Sequence, residues 1–333
     1  MMPRIAIIGA GISGLTLANS LAKCADVHVF EKARGVGGRM STRYAEPFYF
    51  DHGTQFFTAR SKAFQRFITP LIADGLVAEW TGKVITFQED RSIKDRLWFE
   101  PHYVAVPHMN SLCKHMAIGM RISTATEVTP LASKRSDGWH VMDKDGNALG
   151  VFDWVISTAP PVQTKRLFAD HLPAKNPLPY TELLGCYTLM IGFNTPWNKP
   201  WMAAKVHASP IEWIAVNSSK PVRNKAITSI VVHSSNAWAE EHIDDDMSQA
   251  EQFLRREFET VSGIDTRDAD YFSCHRWRYA LVGEPKELTP FIDRANGLAS
   301  TGDWCNASRI EDAWTNAMKL SEILKKSLSE NDA

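Results

Sequence analysis

The sequence lacks the features that would place this 333-residue chain in a membrane or on nucleic acid. It has no run of about 18 apolar residues, so a membrane-spanning helix is not expected. Lys and Arg number 37 against 38 for Asp and Glu, a formal net charge of −1. A nucleic-acid binder needs a concentrated basic surface, which this balance does not supply. Low-complexity tracts and internal repeats are also absent.

Cysteine is scarce, and its placement excludes two further classes. The five cysteines are odd in number, scattered and without a CxxC pair, so neither a disulfide framework nor a thiolate zinc site is predicted. A reducing compartment suits such a chain. The N-terminus shows no apolar segment followed by a small-residue cleavage site. We therefore expect a metal-free cytoplasmic protein, and the oligomeric state is left open.

The chain begins with a βαβ pattern. Strands are predicted at Arg4–Ile8 and Val27–Glu31 with a helix between them at Ser13–Ala22, which favours a parallel sheet covered by helices. A buried strand at Phe152–Ser157 and a return strand at Leu298–Thr301 extend the same sheet.

The other predicted elements follow from periodicity and turn signals. The helices are Ser61–Ala73, Met109–Ile118 (with Pro107 near its first turn), Met247–Val261 and Arg309–Leu328; the strands are Arg121–Ser123, Glu127–Lys134, Gly138–Asp143 before an Asp145-Gly146 turn, Tyr187–Phe193, Ile211–Asn217 and Ile227–His233.

Gly9-Ala10-Gly11-Ile12-Ser13-Gly14 lies between the first strand and helix. Its glycines allow a tight turn, a close approach to a pyrophosphate and close helix packing. The N–H groups at the helix start favour phosphates. Glu31 ends the second strand about 20 residues later, where a carboxylate can accept the ribose hydroxyls. This motif predicts a dinucleotide site, which either NAD or FAD could occupy.

A second glycine-rich loop favours FAD. Lys32 opens this loop, which continues through Gly37, Gly38, Arg39 and Met40. The adjacent glycines let the chain pass close to the pyrophosphate, and Arg39 offers a fork for phosphate oxygens. An NAD dehydrogenase has no need of a second such loop. A flexible surface turn with a solvated arginine is the other interpretation.

A third motif, Ser300-Thr301-Gly302-Asp303-Trp304, precedes the last predicted helix. Asp303 can meet a ribityl hydroxyl or the pyrophosphate. The helix start at Arg309 and Ile310 directs its dipole at the flavin pyrimidine, where reduced flavin is negative. We therefore predict an α/β protein, a glutathione-reductase-type FAD-binding Rossmann domain with an inserted mixed or antiparallel β-sheet substrate domain. The predicted ranges are 1–60, 107–166 and 294–333 for the first and 61–106 and 167–293 for the second.

Together these motifs resemble the amine-oxidase-like FAD superfamily, and three segments resemble its renalase family in the bacterial form. These segments are Phe50-Asp51-His52-Gly53-Thr54-Gln55-Phe56-Phe57, His275-Arg276-Trp277-Arg278-Tyr279 and Gly302-Asp303-Trp304. The resemblance covers nearly the whole chain and implies noncovalent FAD rather than a covalent link through His52. The implied cofactor contacts are Gly9, Gly11, Ile12, Ser13, Gly14, Glu31, Lys32, Gly38, Arg39, Met40, Thr54, Gln55, Phe56, Val128, Gly302, Asp303, Arg309 and Ile310.

The resemblance also implies an activity, the oxidation of 2- or 6-dihydro isomers of NAD(P)H. Hydride would pass to flavin N5, giving NAD(P)+, and dioxygen would become hydrogen peroxide. Losing a hydride turns a dihydropyridine into an aromatic cation, so no protein base has to remove a proton. The protein then mainly positions the ring and shields the site.

Five side chains are candidates for the substrate site: Gln55, Asn217, His233, Trp277 and Arg278. Trp277 could stack on a nicotinamide ring, and Arg278 could face a phosphate or carboxamide. Three of them have a structural alternative: His233 can be a hydrogen-bonded core residue, Trp277 a packing residue and Arg278 a solvated one.

Three other functions remain open at this point. An FAD-dependent amine oxidase or desaturase shares the scaffold, but the lysine that such sites use to hold a water at flavin N5 cannot be located in the sequence. A flavoprotein without turnover is the second, although no resolving cysteine pair supports a thiol sensor. An NAD-dependent dehydrogenase would leave the Gly37-Gly38-Arg39 loop unexplained.

Overall fold

The computed structural model describes residues 2–175 and 177–330, with nothing said of the Glu330 side chain. The chain forms two compact units, each assembled from separated segments. The first unit comprises Met1–Gly38, Cys113–Glu182 and Val282–Ala333. The second comprises Arg39–Leu112 and Leu183–Leu281.

This division differs from the predicted domain ranges in four stretches: residues 39–60 and 107–112 belong to the second unit, and residues 167–182 and 282–293 belong to the first. A short hairpin in the first of these stretches explains why that stretch belongs to the second unit. Its Phe48 and Phe50 are buried against Met190 and Val231, which lie in the second unit.

The elements are numbered in chain order. The strands are β1 (Arg4–Ile8), β2 (Asp26–Phe30), β3 (Arg43–Ala45), β4 (Phe48–Phe50), β5 (Val77–Glu79), β6 (Val84–Phe87), β7 (Ile93–Arg96), β8 (Tyr103–Ala105), β9 (Arg121–Ser123), β10 (Trp139–Met142), β11 (Ala148–Phe152), β12 (Trp154–Ser157), β13 (Leu183–Phe193), β14 (Ala203–Val206), β15 (Ile211–Val216), β16 (Thr228–Ser234), β17 (Tyr271–Val282), β18 (Phe291–Asp293) and β19 (Leu298–Ser300). The helices are α1 (Ile12–Leu21), α2 (Lys62–Ala73), α3 (Ser111–Met116), α4 (Pro161–Phe168), α5 (Asn236–Glu241), α6 (Met247–Ser262) and α7 (Ile310–Glu330).

The first unit is built on a six-stranded sheet in the order β18-β19-β12-β1-β2-β9. All its pairs are parallel except β18 with β19. Ile5, Ala6 and Ile7 of β1 are completely buried, as expected for a parallel strand covered on both faces. Helices α1 and α7 lie side by side, since the Ser13 hydroxyl donates to the Ala313 carbonyl at 3.0 Å. The predicted Rossmann-type α/β fold is confirmed.

The second unit contains a seven-stranded sheet in the order β17-β13-β16-β15-β14-β6-β7. β14 and β6 are parallel, and the pairs β13–β16, β15–β16, β14–β15 and β6–β7 are antiparallel, so the sheet is mixed. Strands β13, β15 and β16 bury their apolar residues against α6, whose Leu254 and Phe258 are fully buried. Asp246 caps α6 by accepting the N–H groups of Ser248 and Gln249.

Two predicted elements differ in the structure. The strand expected at residues 127–134 does not form: Val128 makes a single bridge to Asp143, and Pro130 has no N–H to give to a ladder. The helix expected at residues 109–118 is shortened to α3. Its predicted start is held by tertiary contacts instead, since the Met109 N–H donates to the Asp51 carboxylate at 2.9 Å.

Strand β17 was not predicted, although it contains the whole 275–279 run. Among the described residues no helix is both long enough and apolar enough to cross a membrane.

Candidate functional site

The turn between β1 and α1 depends on two glycines for packing. Gly9 has a φ of +107°, and a Cβ there would lie 2.6 Å from the Thr158 hydroxyl. A Cβ on Gly14 would collide with the Gly9 carbonyl. These positions let the helix start directly over the end of the strand.

Gly11 has a different role, because the space beside it is open. A Cβ there would meet only the Gly37 carbonyl, at 4.0 Å. Gly11 is also the N-cap of α1 and has no side chain that could accept from the N–H groups of the first turn. An uncapped helix start with free space in front of it fits a phosphate. Ile12 and Ser13, both buried, form the first residues of this helix.

Glu31 ties the turn to the end of β2. Its two carboxylate oxygens accept the N–H groups of Ala10 and Ala33, each at 2.8 Å. Each oxygen keeps a lone pair, so the carboxylate can still accept a ribose hydroxyl as predicted. The neighbouring Lys32 is exposed.

The second glycine loop folds onto the first. The Gly37 N–H donates to the Ala10 carbonyl at 2.9 Å, and Gly38, with a φ of +54°, would bring a Cβ to 3.6 Å from the Gly11 Cα. The segment leading to Val128 runs beside Glu31, because the Thr126 N–H donates to the Glu31 carbonyl at 2.9 Å. The residues predicted for the ADP half of FAD therefore lie around one turn.

The C-terminal motif belongs to the same unit. Asp303 is buried and begins a short 3-10 turn, and the Asn316 amide donates to the Gly302 carbonyl at 3.2 Å. Helix α7 begins at Ile310, and the N–H of the exposed Arg309 donates to Asp312 at 3.2 Å. Because α7 contacts α1, the C-terminal segment is close to the N-terminal helix, as the FAD hypothesis requires.

A buried ion cluster dominates the second unit. Asp51, directly after β4, is fully buried and accepts from Lys220 at 3.1 Å and from Arg223 at 2.8 Å. Its other oxygen accepts from the Thr42 hydroxyl at 2.8 Å. Burial raises the pKa of Asp51, but the charges of Lys220 and Arg223 outweigh it and hold that pKa below its usual value. With two cations for one anion, the cluster has a formal charge of +1.

Gln55 is attached to this cluster through its carboxamide. Its Oε1 accepts from Lys220 Nζ at 3.3 Å, and its Nε2 donates to the carbonyls of Asp51 and Gly53, the latter at 2.9 Å. Nε2 also lies 3.4 Å from His233 Nε2. The orientation of the Gln55 amide is thereby defined.

The carbonyl of His52 connects three strands to the same region. It accepts from the Thr188 hydroxyl of β13 at 2.9 Å and from the Trp277 indole of β17 at 3.1 Å. His233 Nε2 of β16 lies 3.4 Å from it. The Trp277 ring stacks on His52 with centroids 5.1 Å apart, and His275 meets Trp277 edge-on at 4.4 Å. Gln55, His233 and Trp277 are therefore neighbours.

The histidines of this region are neutral near pH 7. Burial lowers the pKa of His233 to about 4 and that of His52 to about 3, and burial likewise lowers the pKa of His275 to about 4. None of the three can serve as a general base of matched pKa at neutral pH.

The two remaining residues predicted for the substrate site, Asn217 and Arg278, lie in different surroundings. Asn217 is buried and anchors the β15 end to β4, with its Nδ2 donating to the Tyr49 carbonyl at 2.8 Å. Arg278 is not brought to the cluster: its side chain is 46% exposed and pairs with Asp244 at 2.8 Å, which is the solvated alternative.

Besides Gln55, four predicted cofactor contacts lie in the second unit: Arg39, Met40, Thr54 and Phe56. The Arg39 carbonyl accepts from the Thr54 N–H at 2.8 Å, and the Arg39 guanidinium donates to the Ala280 carbonyl at 3.1 Å. The next residue, Met40, is buried. Phe56 lies among aromatic rings, 4.4 Å from His102 and 5.7 Å from Trp213.

Lys220 and Arg223 were missed by sequence reasoning. They follow Asn217 in a Ser-Ser-Lys-Pro-Val-Arg turn, a composition typical of a solvated connection. They become buried because they pair with groups far away in the sequence, above all with the carboxylate of Asp51. No group of three metal-ligating side chains occurs in the part of the chain that the structure describes.

Comparison with known proteins agrees with the observed fold. Residues 7–71 match the NAD(P)-binding Rossmann-like domain. The fold is similar to that of putrescine oxidase, at 12% identity and a TM-score of 0.72 over 98% of this chain and 99% of that one. It is also similar to an oxidoreductase from Methanosarcina mazei, at 13% identity and a TM-score of 0.70 over 96% of this chain and 100% of that one. Tetracycline destructase Tet(51) gives 16% identity and a TM-score of 0.62 over 98% and 83%.

The family assignment rests on the longest match. Residues 60–319, well over half of the chain, match the flavin containing amine oxidoreductase family. This family binds flavin, so the cofactor is a flavin in its usual FAD form, and the turn around Gly11 and Glu31 fits the dinucleotide part of FAD. The chain belongs to the flavin containing amine oxidoreductases and is an FAD-dependent oxidoreductase.

Proposed function

We propose that the protein oxidises isomeric dihydronicotinamide nucleotides, the 2- or 6-dihydro forms of NAD(P), as its renalase-like segments imply. When bound without a covalent link, FAD would supply the hydride acceptor and a route for the electrons to dioxygen, so that the dihydronucleotide, dioxygen and one proton would give NAD(P)+ and hydrogen peroxide. The residues of this chain bind and orient the substrate and exclude water.

The observation that supports this proposal is that, among the described residues, no carboxylate or histidine around Gln55 is placed to take up a proton at neutral pH. Asp51 already accepts from Lys220, Arg223, Thr42 and the Met109 N–H. The neighbouring histidines are neutral with strongly lowered pKa values. A dihydropyridine needs no base, because it loses only a hydride in becoming aromatic. An amine, in contrast, has to shed its ammonium proton first.

Charge supports the same substrate class. The Asp51 cluster has a formal surplus of one positive charge in a buried setting, where charges are weakly screened. A cationic amine is disfavoured beside it, whereas a dinucleotide carries phosphates. In this proposal Trp277 and His233 line the substrate site.

The test is an anaerobic substrate screen. The purified yellow protein is mixed with 2-dihydro-NAD(P), 6-dihydro-NAD(P), ordinary NADH or NADPH, and putrescine, and flavin bleaching is followed by stopped flow. We expect rapid bleaching by a dihydro isomer and little by the others, with flavin released on denaturation. Bleaching by ordinary NADH alone, or by none of the nucleotides, contradicts the proposal.

Amine oxidation is the second candidate, and Lys220 favours it. Amine oxidases on this scaffold commonly use a lysine-bound water, and Lys220 is a fully buried lysine that the sequence did not reveal. Putrescine oxidase also shares the fold. Bleaching by putrescine in the same screen, without bleaching by dihydronicotinamide nucleotides, would establish this candidate instead.

A further inference from the structure

A cavity of about 510 Å³ opens in the second unit beside the β6–β7 hairpin. It lies between the loop that joins β5 to β6 and the segment that follows β7, and its lining residues all fall between Glu79 and Pro101. Trp98 and Arg96 are among them. The volume is in the range of small-molecule sites in proteins, so the cavity is large enough for part of a nucleotide.

The cavity lies on the same face of the seven-stranded sheet as His233. Residues that pair directly across neighbouring strands share a face. One row of such pairs crosses five strands and contains His233, Trp213, Lys205, Thr86 and Lys94. Arg96 is two residues beyond Lys94 on β7, so it belongs to that face too. Four strand spacings separate β16 from β7, which places His233 about 19 Å from the β7 end of the row.

Aromatic rings connect the cavity with the residues around Gln55. The ring centroid of Trp98 lies 5.3 Å from that of Phe56, the residue after Gln55, and Phe56 lies 5.7 Å from Trp213. Trp98 is also stacked on His102, with centroids 3.7 Å apart. An indole that its neighbours already hold loses little freedom when another flat ring packs against it. The cavity therefore presents a preorganised aromatic surface.

The charged residues of the lining leave one group of each sign without an ion pair. Two pairs account for the others: Lys83 with Asp95, and Glu100 with Arg60. Among the described residues, Glu79 and Arg96 have no such partner, and both are exposed. A carboxylate accepts from hydroxyl groups, and a guanidinium binds phosphate oxygens as a fork. A nucleoside phosphate supplies both kinds of group.

We propose that this cavity is a subsite for the adenosine end of the dinucleotide substrate. Trp98 packs against the adenine ring, Glu79 accepts from the ribose hydroxyls and Arg96 binds a phosphate. The inference rests on the proposed function, because the row of paired residues suits an extended dinucleotide whose nicotinamide lies near His233. It assigns dinucleotides, rather than nicotinamide mononucleotides, as the preferred substrate class.

Calorimetric titration of the FAD-loaded protein with ADP-ribose tests the subsite. The FAD-loaded form is used so that the probe cannot occupy the place of the cofactor. We expect the wild type to bind ADP-ribose, and to bind ribose 5-phosphate, which has no base, about tenfold more weakly. Trp98→Ala should weaken ADP-ribose binding about tenfold, and Trp98→Phe should restore most of the affinity because it keeps an aromatic ring.

Arg96→Gln separates the phosphate contact from the stacking contact. It should also weaken ADP-ribose binding about tenfold, because a charge-assisted hydrogen bond is lost. The matched control is Arg66→Gln, an exposed arginine on α2, which should bind ADP-ribose as the wild type does.

Anaerobic flavin reduction supplies the second readout. Wild-type protein should bind dihydro-NAD about tenfold more tightly than the corresponding dihydronicotinamide mononucleotide, and Trp98→Ala should remove most of that preference. A wild type that does not bind ADP-ribose overturns the proposal, as does a Trp98→Ala or Arg96→Gln protein that keeps full affinity with normal FAD content. The titration needs no turnover, so failure of the proposed oxidation leaves this outcome separately measurable.

Discussion

Replacing Lys220 with methionine is expected to leave the free energy of unfolding unchanged or to raise it. Burial lowers the pKa of Lys220 from its ordinary 10.5 to about 8. At neutral pH the folded state therefore holds this proton about 3 kcal/mol less favourably than the unfolded chain. Methionine removes that penalty and has a similar length.

A lost hydrogen bond works against this gain. Without Lys220, Gln55 Oε1 has no ammonium to accept from, and a buried unsatisfied acceptor costs about 1–3 kcal/mol. Asp51 keeps Arg223 as its counter-ion at 2.8 Å. The net expectation for Lys220→Met is between no change and about 2 kcal/mol of added stability.

Urea unfolding of the flavin-free protein, from pH 6 to 10.5, measures this difference without a contribution from FAD binding. Above about pH 8 the folded Lys220 loses its proton while the unfolded lysine keeps it until about 10.5, so the wild type gains stability relative to the variant. The advantage of Lys220→Met should shrink over that window. The reasoning is refuted if Lys220→Met has a free energy of unfolding more than about 1 kcal/mol below that of the wild type at pH 7. It is also refuted if the difference in unfolding free energy between the two proteins does not change with pH.

The remaining predictions concern one residue each. Asp51→Asn leaves two buried cations without an anion and should cost about 3–5 kcal/mol in the same urea assay, whereas Asp90→Asn, on the surface, should change little. Gly11→Val should abolish FAD binding, because the side chain enters the open space before α1, and Gly35→Ala should retain the flavin; normal flavin absorbance in Gly11→Val would contradict the assigned cofactor position. Trp277→Ala should raise KM for the substrate and leave flavin content unchanged, and unaltered kinetics would remove Trp277 from the site.

The nucleotide-binding fold could be predicted because its signals are local. The Gly9–Gly14 motif, the strand before it and Glu31 lie within one βαβ unit, and each residue is constrained by its immediate neighbours. The return strand and last helix were found for the same reason. The region at residues 127–134 has apolar residues at strand spacing, but pairing depends on a partner strand, and Pro130 prevents it.

The ion cluster was beyond sequence reasoning because its members meet only in the folded chain. Asp51 belongs to a hairpin near the N-terminus, and Lys220 and Arg223 to a turn after β15. Nothing in a Ser-Ser-Lys-Pro-Val-Arg segment distinguishes a buried lysine from a solvated one. Arg278 was predicted in the site but lies outside it. A motif can place a residue on the right strand without giving the direction of its side chain, and on β17 the Arg278 side chain is directed toward Asp244 and solvent.

The order of strands in the six-stranded sheet has a consequence for synthesis. β1 pairs with β12, and β12 in turn pairs with β19, which begins at Leu298. A ribosome therefore has to translate at least as far as residue 300 before β1 can belong to a finished sheet. In nascent chains stalled before residue 298, the Gly9–Gly14 turn should form without a complete six-stranded sheet, because β19 is not yet present. They are expected to be sensitive to protease at α1, even though that helix was made first.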